Sequence, residues 1–90
     1  MEACVVLISG RVQGVGFRWF TERQARQRGV RGYVRNLPDG RVEVLAQAER
    51  EVMSAFLDVL RDGPGAARVD GVEVVPTPVD VSLTAFRVRI

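Results

Sequence analysis

The sequence predicts an α+β domain: an antiparallel sheet carrying two helices on one face, in the order β-α-β-β-α-β, with an added strand at the C-terminus. Three observations predict it. Short apolar or alternating runs mark strands, two longer segments repeat their apolar residues at helical spacing, and glycine or proline punctuates almost every junction. The 90 residues read as one domain, residues 1–90, with no internal repeat, linker or low-complexity tract. A chain of this size buries roughly 60–70% of the surface it exposes when unfolded, enough for one core.

Cys4 to Val12 is apolar almost without a break, the pattern of a central strand with little solvent contact. After a glycine-rich stretch, Trp19 to about Arg28 reads as a helix. Phe17, Phe20, Thr21 and Ala25 share one face, Glu22 and Arg26 form an i,i+4 pair, and Gly29 stops it. Val30 to Arg35 is a second strand. Asn36 to Gly40 turns the chain, with Pro38-Asp39-Gly40 supplying turn chemistry. Arg41 to Ala48 alternates, with Val42, Val44, Ala46 and Ala48 on one side, and so completes a hairpin.

Glu49 to Arg61 is the stronger helix. Val52, Phe56, Val59 and Leu60 fit the 3.6 period, Met53 and Leu57 widen the face, and Glu49 and Glu51 sit near the positive end of the dipole. Gly63-Pro64-Gly65 ends it. Arg68 to Val75 is the fourth strand. Pro76-Thr77-Pro78 interrupts, and Ala85 to Ile90 closes the chain with Phe86, Val88 and Ile90 alternating against Arg87 and Arg89. This order is that of a ferredoxin-like sandwich with core strand order 4-1-3-2. Strands one and two then run parallel, and their C-terminal ends share one edge of the sheet. Only strand three separates them, roughly 10 Å at two spacings of about 4.8 Å.

Composition narrows the chemistry. All thirteen cationic residues are arginine, and the formal charge is +2. There is no histidine and one cysteine. That excludes Ser-His-Asp and Cys-His nucleophiles and nearly all zinc sites, so any catalysis runs without imidazole; no cofactor is expected. One cysteine cannot close an internal disulfide, which favours a reduced, cytoplasmic setting. No apolar run approaches the ~20 residues of a membrane span, and Met1-Glu2-Ala3 lacks the basic region of a signal peptide. Sheets of this type also serve as RNA-binding modules through exposed aromatics on strands one and three. Neither strand carries one here, and the outward residues of strand three are Glu43, Leu45 and Gln47. No nucleic-acid or membrane partner is expected.

The informative stretch is Gly10-Arg11-Val12-Gln13-Gly14-Val15-Gly16-Phe17-Arg18. Glycines at 14 and 16 permit the dihedrals that turn successive N–H groups inward as an anion-holding nest, and they keep Cβ atoms away from a ligand. The helix behind offers unpaired N–H groups and its positive dipole end. Arg18 adds a planar charged fork suited to phosphate oxygens. The nucleotide-triphosphate loop is excluded, because it needs Gly-Lys-Ser/Thr and the chain contains no lysine. The dinucleotide fingerprint would need glycine where Trp19 stands. The socket is therefore suited to one phosphoryl group.

This stretch closely resembles the signature of the acylphosphatases. A second block, Gly32-Tyr33-Val34-Arg35-Asn36-Leu37-Pro38-Asp39-Gly40-Arg41-Val42-Glu43, resembles that family's other signature, and the likeness extends to Gly63-Pro64 and Phe86-Arg87-Val88. The resemblance implies metal-independent hydrolysis of acyl phosphates to carboxylate and inorganic phosphate. It implies that Arg18 holds phosphate together with the backbone N–H groups of Gln13, Gly14, Val15, Gly16 and Phe17, and that Asn36 positions water. A monomer acting on a small-molecule acyl phosphate, and binding phosphate or sulfate, is expected. The alternative is a phosphate-binding or regulatory module without turnover. A similar domain occurs inside larger hydrogenase-maturation proteins, a role that a stand-alone chain does not favour.

The remaining conspicuous residues have plainer readings. Trp19 and Tyr33 are expected in core or half-exposed packing, Cys4 as a small buried hydrophobe, and Glu43 in an ion pair with a nearby arginine. Asp39 and Gly40 belong to the hairpin turn. Ala48 stands where the family often has glycine, and Tyr33 where tryptophan is common.

Overall fold

A computed structural model describes residues 1–90. Its elements are β1 (Glu2–Arg11), α1 (Phe17–Arg28), β2 (Arg31–Asn36), β3 (Val42–Ala48), α2 (Arg50–Asp62), β4 (Arg68–Pro76) and β5 (Phe86–Val88). The sheet order is β4-β1-β3-β2-β5. The order 4-1-3-2 and the two helices on one face are those of the ferredoxin-like sandwich. β1 pairs with β3 and with β4, and β2 with β3, all antiparallel.

The sheet is nonetheless mixed, because β5 runs parallel to β2. Direction follows from the crossing. β4 and β5 occupy opposite edges. The chain leaves β4 against the sense of β2, crosses the sheet and re-enters along it. The crossing segment, 77–85, is fastened on the face away from the helices. The N–H of Thr77 donates to the Ala3 carbonyl at 3.0 Å. The Gln47 carboxamide donates to the Asp80 carbonyl at 2.9 Å and accepts from the Asp80 N–H at 2.8 Å. This covering leaves Gln47 only 2% exposed, although its side chain points away from the helices.

The core lies between sheet and helices. Cys4, Val6 and Ile8 of β1, Val34 of β2, and Val42, Val44 and Ala46 of β3 meet Phe17 and Ala25 of α1 and Met53, Phe56 and Leu60 of α2. Phe86 joins from β5, edge to face with Phe56 at a centroid distance of 6.3 Å. β1 is central but not shielded on both sides. Its outer residues Val5 and Leu7 stay partly exposed, because helices cover one face and the crossing segment only part of the other.

Two expectations about α1 are corrected. The helix starts at Phe17, two residues early, and buries Phe17, Thr21 and Ala25. Those positions form an i, i+4, i+8 row. Trp19, two residues on from Phe17 and so roughly 200° around the axis, faces solvent and is 72% exposed. It is neither core nor half-exposed. Ala48 is buried at the end of β3 and permits a regular start to α2, where the Met53 N–H donates to the Glu49 carbonyl at 2.8 Å. No helix is long and apolar enough to cross a membrane.

Candidate active site

The loop between β1 and α1 alternates the sign of φ. Gly14 has φ 74° and Gly16 φ 80°, while no non-glycine residue, Val15 included, has positive φ. Such alternation turns consecutive N–H groups to one side. A Cβ at either glycine would meet no protein atom within 4 Å. The left-handed dihedral, rather than crowding by the protein, is what asks for glycine here.

α1 then begins without the usual provisions for a helix start. Its first residues are preceded by Gly16, which supplies no side-chain cap, and its first turn carries no acidic residue. The first helical bond runs from the Phe20 N–H to the Gly16 carbonyl at 3.0 Å, and no N–H from Gln13 to Trp19 has an acceptor within the protein. A row of free donors at the positive end of a helix is an anion site in chemical character. The individual side chains turn elsewhere. Phe17 is buried in the core and Val15 packs against it, so both face the loop with backbone alone. The Gln13 side chain donates to the carbonyls of Leu37 at 2.8 Å and Arg41 at 2.9 Å.

Arg18 stands on the first turn of α1. Its guanidinium donates to the Arg89 carbonyl at 3.4 Å, and it has no carboxylate partner. Asn36 is the last residue of β2. The register aligns Ile8, Val42 and Asn36 across three strands. Cross-strand partners share a face, and Ile8 and Val42 are in the core. Asn36 therefore lies on the helix-bearing face, the side on which α1 begins. Its Oδ1 is buried and has no hydrogen-bond partner. A buried acceptor left open costs about 1–3 kcal/mol, and such exceptions in a satisfied interior call for an explanation, with a bound water or a catalytic role among those that apply.

Glu43 belongs to the opposite face. It accepts from Arg35 Nε at 2.7 Å and from the Tyr33 hydroxyl at 2.8 Å. Burial pushes its carboxyl up, but these two bonds outweigh burial and hold it below the ordinary carboxylate range. Burial, with the bond to Glu43, pushes the half-buried Tyr33 phenol up. The ion-pair reading of Glu43 is thus correct, and alternation along β2 and β3 separates this cluster from Asn36. Cys4 is buried, as a small hydrophobe in contact with Met53.

The expected residues thus gather at one edge of the sheet: an array of donors without acceptors on the loop, a guanidinium beside it, and an acceptor without a donor on β2. The molecule's surface hollows, the largest about 500 Å³, include none of residues 13–18 or Asn36. A group as small as a phosphoryl needs only a rim of donors. The model of the acylphosphatase family matches residues 4–88.

The chain belongs to the acylphosphatase family. An acylphosphatase from Koribacter versatilis is 51% identical over 83 residues, which cover 92% of this chain and 76% of the relative. One from Archaeoglobus fulgidus is 53% identical over 74 residues, 82% of this chain and 83% of the relative. The crystal structure of the acylphosphatase from Bacillus subtilis matches with a TM-score of 0.96 at 31% identity, over 100% of both chains. The activity is accordingly that of an acylphosphatase, hydrolysis of the carboxyl-phosphate bond of acyl phosphates. Neither a module without turnover nor an RNA-binding module is the reading these relatives support.

Proposed function

We propose that the loop of Gln13, Gly14, Val15, Gly16 and Phe17 holds the phosphoryl group through backbone N–H groups, that Arg18 clamps its oxygens, and that Asn36 orients the attacking water. The observation that carries this reading is the unpartnered, buried Oδ1 of Asn36 on the same face as the row of free N–H donors. The oxygen accepts one water hydrogen and so aims the water's lone pair at phosphorus.

Few groups suffice because the substrate is a mixed anhydride. Water oxygen bonds to phosphorus while the bond from phosphorus to the acyl oxygen breaks. The bonding pair leaves with the carboxylate, which is stable at neutral pH and needs no general acid. The water protons pass to phosphate and solvent. Phosphoryl transfer has a loose transition state, so positioning and charge stabilisation supply most of the catalysis. Arg18, the amides and the helix dipole provide the compensating charge without metal or cofactor. Inorganic phosphate and sulfate fit the same cradle, and one chain contains every group, consistent with action as a monomer on small acyl phosphates in the cytoplasm.

The test is benzoyl phosphate hydrolysis in the presence of a chelator. Removing one preorganised donor typically costs about 2.7–4 kcal/mol of barrier, so Arg18→Ala falls at least about 100-fold and loses competitive inhibition by phosphate. Asn36→Ala loses turnover while keeping phosphate inhibition. Near-normal turnover by Asn36→Ala removes the water-positioning role, and abolition of wild-type activity by the chelator removes metal independence.

A further inference from the structure

The Gln13 side chain does something its backbone does not. It leaves the phosphate loop and places its carboxamide nitrogen in the mouth of the β2–β3 turn, 2.8 Å from the Leu37 carbonyl and 2.9 Å from that of Arg41. Both amide hydrogens are used. Neither carbonyl depends on Gln13 for satisfaction. The Leu37 carbonyl already accepts from the Gly40 N–H at 3.1 Å, and the Arg41 carbonyl from the Leu37 N–H at 2.8 Å. The turn is closed without it. What the side chain adds is a tie between two loops that are 24 residues apart in sequence.

Its anchor points decide what the tie fixes. One end is the residue directly before Gly14, at the start of the cradle. The other is Leu37, directly after Asn36. The Asn36 carboxamide makes no hydrogen bond to the protein, and its oxygen is buried and open. Its placement is therefore set by the backbone it hangs from, which pairs with Val42 in the sheet and whose next residue, Leu37, is bound from the loop side by Gln13.

We infer that Gln13 is a positioning residue whose side chain sets the offset between the phosphate cradle and Asn36, and so the in-line angle of the attacking water. The inference rests on the roles given above to the cradle and to Asn36. It predicts a split in kinetics. Phosphate affinity depends on the amides and Arg18, which a side-chain change at 13 leaves in place. Turnover depends on alignment, where a misplacement of about 1 Å can cost on the order of 100-fold.

The experiment uses Gln13→Met, similar in length but without donors, and Gln13→Asn, which keeps the donors on a shorter arm. Circular dichroism and urea unfolding establish that each is folded under assay conditions. With benzoyl phosphate, kcat should fall at least about tenfold in both variants, while the inhibition constant of inorganic phosphate stays within about threefold. The decisive measurement is the cycle with Asn36→Ala. If Gln13 acts through Asn36, Gln13→Met adds nothing in the Asn36→Ala background. An undiminished effect in that background overturns the inference, as do unchanged kcat or parallel loss of phosphate affinity in both folded variants. Near-normal turnover by Asn36→Ala alone is a different failure. It removes the water-positioning reading and this inference with it.

Discussion

Arg18 is a cation with a carbonyl neighbour and no carboxylate, beside backbone donors that no protein atom accepts from. Its planar fork can meet two phosphate oxygens at once, whereas an ammonium is one hydrated point donor. Arg18→Lys therefore keeps the charge and still loses most activity, with kcat/KM for benzoyl phosphate falling at least about tenfold. Activity within twofold of wild type would mean that charge alone holds the phosphoryl group. At this scale the sequence was informative where the chemistry is local. Two glycines separated by one residue, an arginine two positions later and an asparagine before a proline turn all carry their meaning in their neighbours. Gln13 was legible only as a backbone donor. The partners of its side chain belong to a turn whose position relative to the loop exists only after folding. Trp19 failed for a related reason. The inward row of Phe17, Thr21 and Ala25 was legible from its spacing, but with no side-chain cap there is no local signal that α1 begins at Phe17 rather than Trp19, and so that Trp19 stands on the outer face of its first turn.

Strands β2 and β3 carry two unrelated groupings on their two faces. Asn36 and Val34 look toward the helices, while Tyr33, Arg35 and Glu43 make a bonded cluster on the other side, with the Arg89 guanidinium 4.6 Å from the Tyr33 ring centre. The hairpin was readable from alternation and turn residues. The pairing of Arg35 with Glu43 needed the register, which aligns those two residues directly across the strands. Gly32 shows the same limit. A Cβ there would collide with the Leu45 carbonyl, a cross-strand approach that no single-strand pattern reveals. The cluster has a pH signature. The bonds from Arg35 and Tyr33 hold the folded Glu43 carboxyl below its ordinary unfolded value. Its contribution to stability is thus present above that value and is lost as pH falls through the folded one. Thermal unfolding of wild type and Glu43→Gln, followed from pH 7 to pH 2.5, should show a gap that narrows through the carboxylate range. A gap of constant width would show that the Glu43 charge contributes nothing.

Across the whole molecule, strand order followed from the hairpin and the right-handed crossover, and both could be seen in the sequence. The direction of β5 could not. It depends on residues 77–85 crossing from one edge of the sheet to the other, and the residue that fastens the crossing, Gln47, looks in sequence like an outward polar position of β3. Two of the contacts that hold the chain after β4 differ in kind. Gln47 is covered, but the two backbone groups it binds belong to Asp80, an exposed residue, so water can reach them when the bonds are lost. At about 0.5–1.5 kcal/mol per bond, Gln47→Leu costs roughly 1–3 kcal/mol at most. Phe86 fills the core against Phe56 and is 2% exposed. Phe86→Ala leaves a cavity that neighbours cannot close and costs about 3–5 kcal/mol. A typical domain has only about 5–15 kcal/mol in total, so the second variant approaches the margin of folding. Urea midpoints should rank wild type, Gln47→Leu, then Phe86→Ala. β5 also leads into Arg89, whose carbonyl accepts from Arg18. Loosening β5 should therefore weaken phosphate inhibition in Phe86→Ala molecules that remain folded, and Gln47→Leu should leave it unchanged. Equal destabilisation by the two variants would show that the crossing segment, rather than the aromatic core contact, holds the last strand in place.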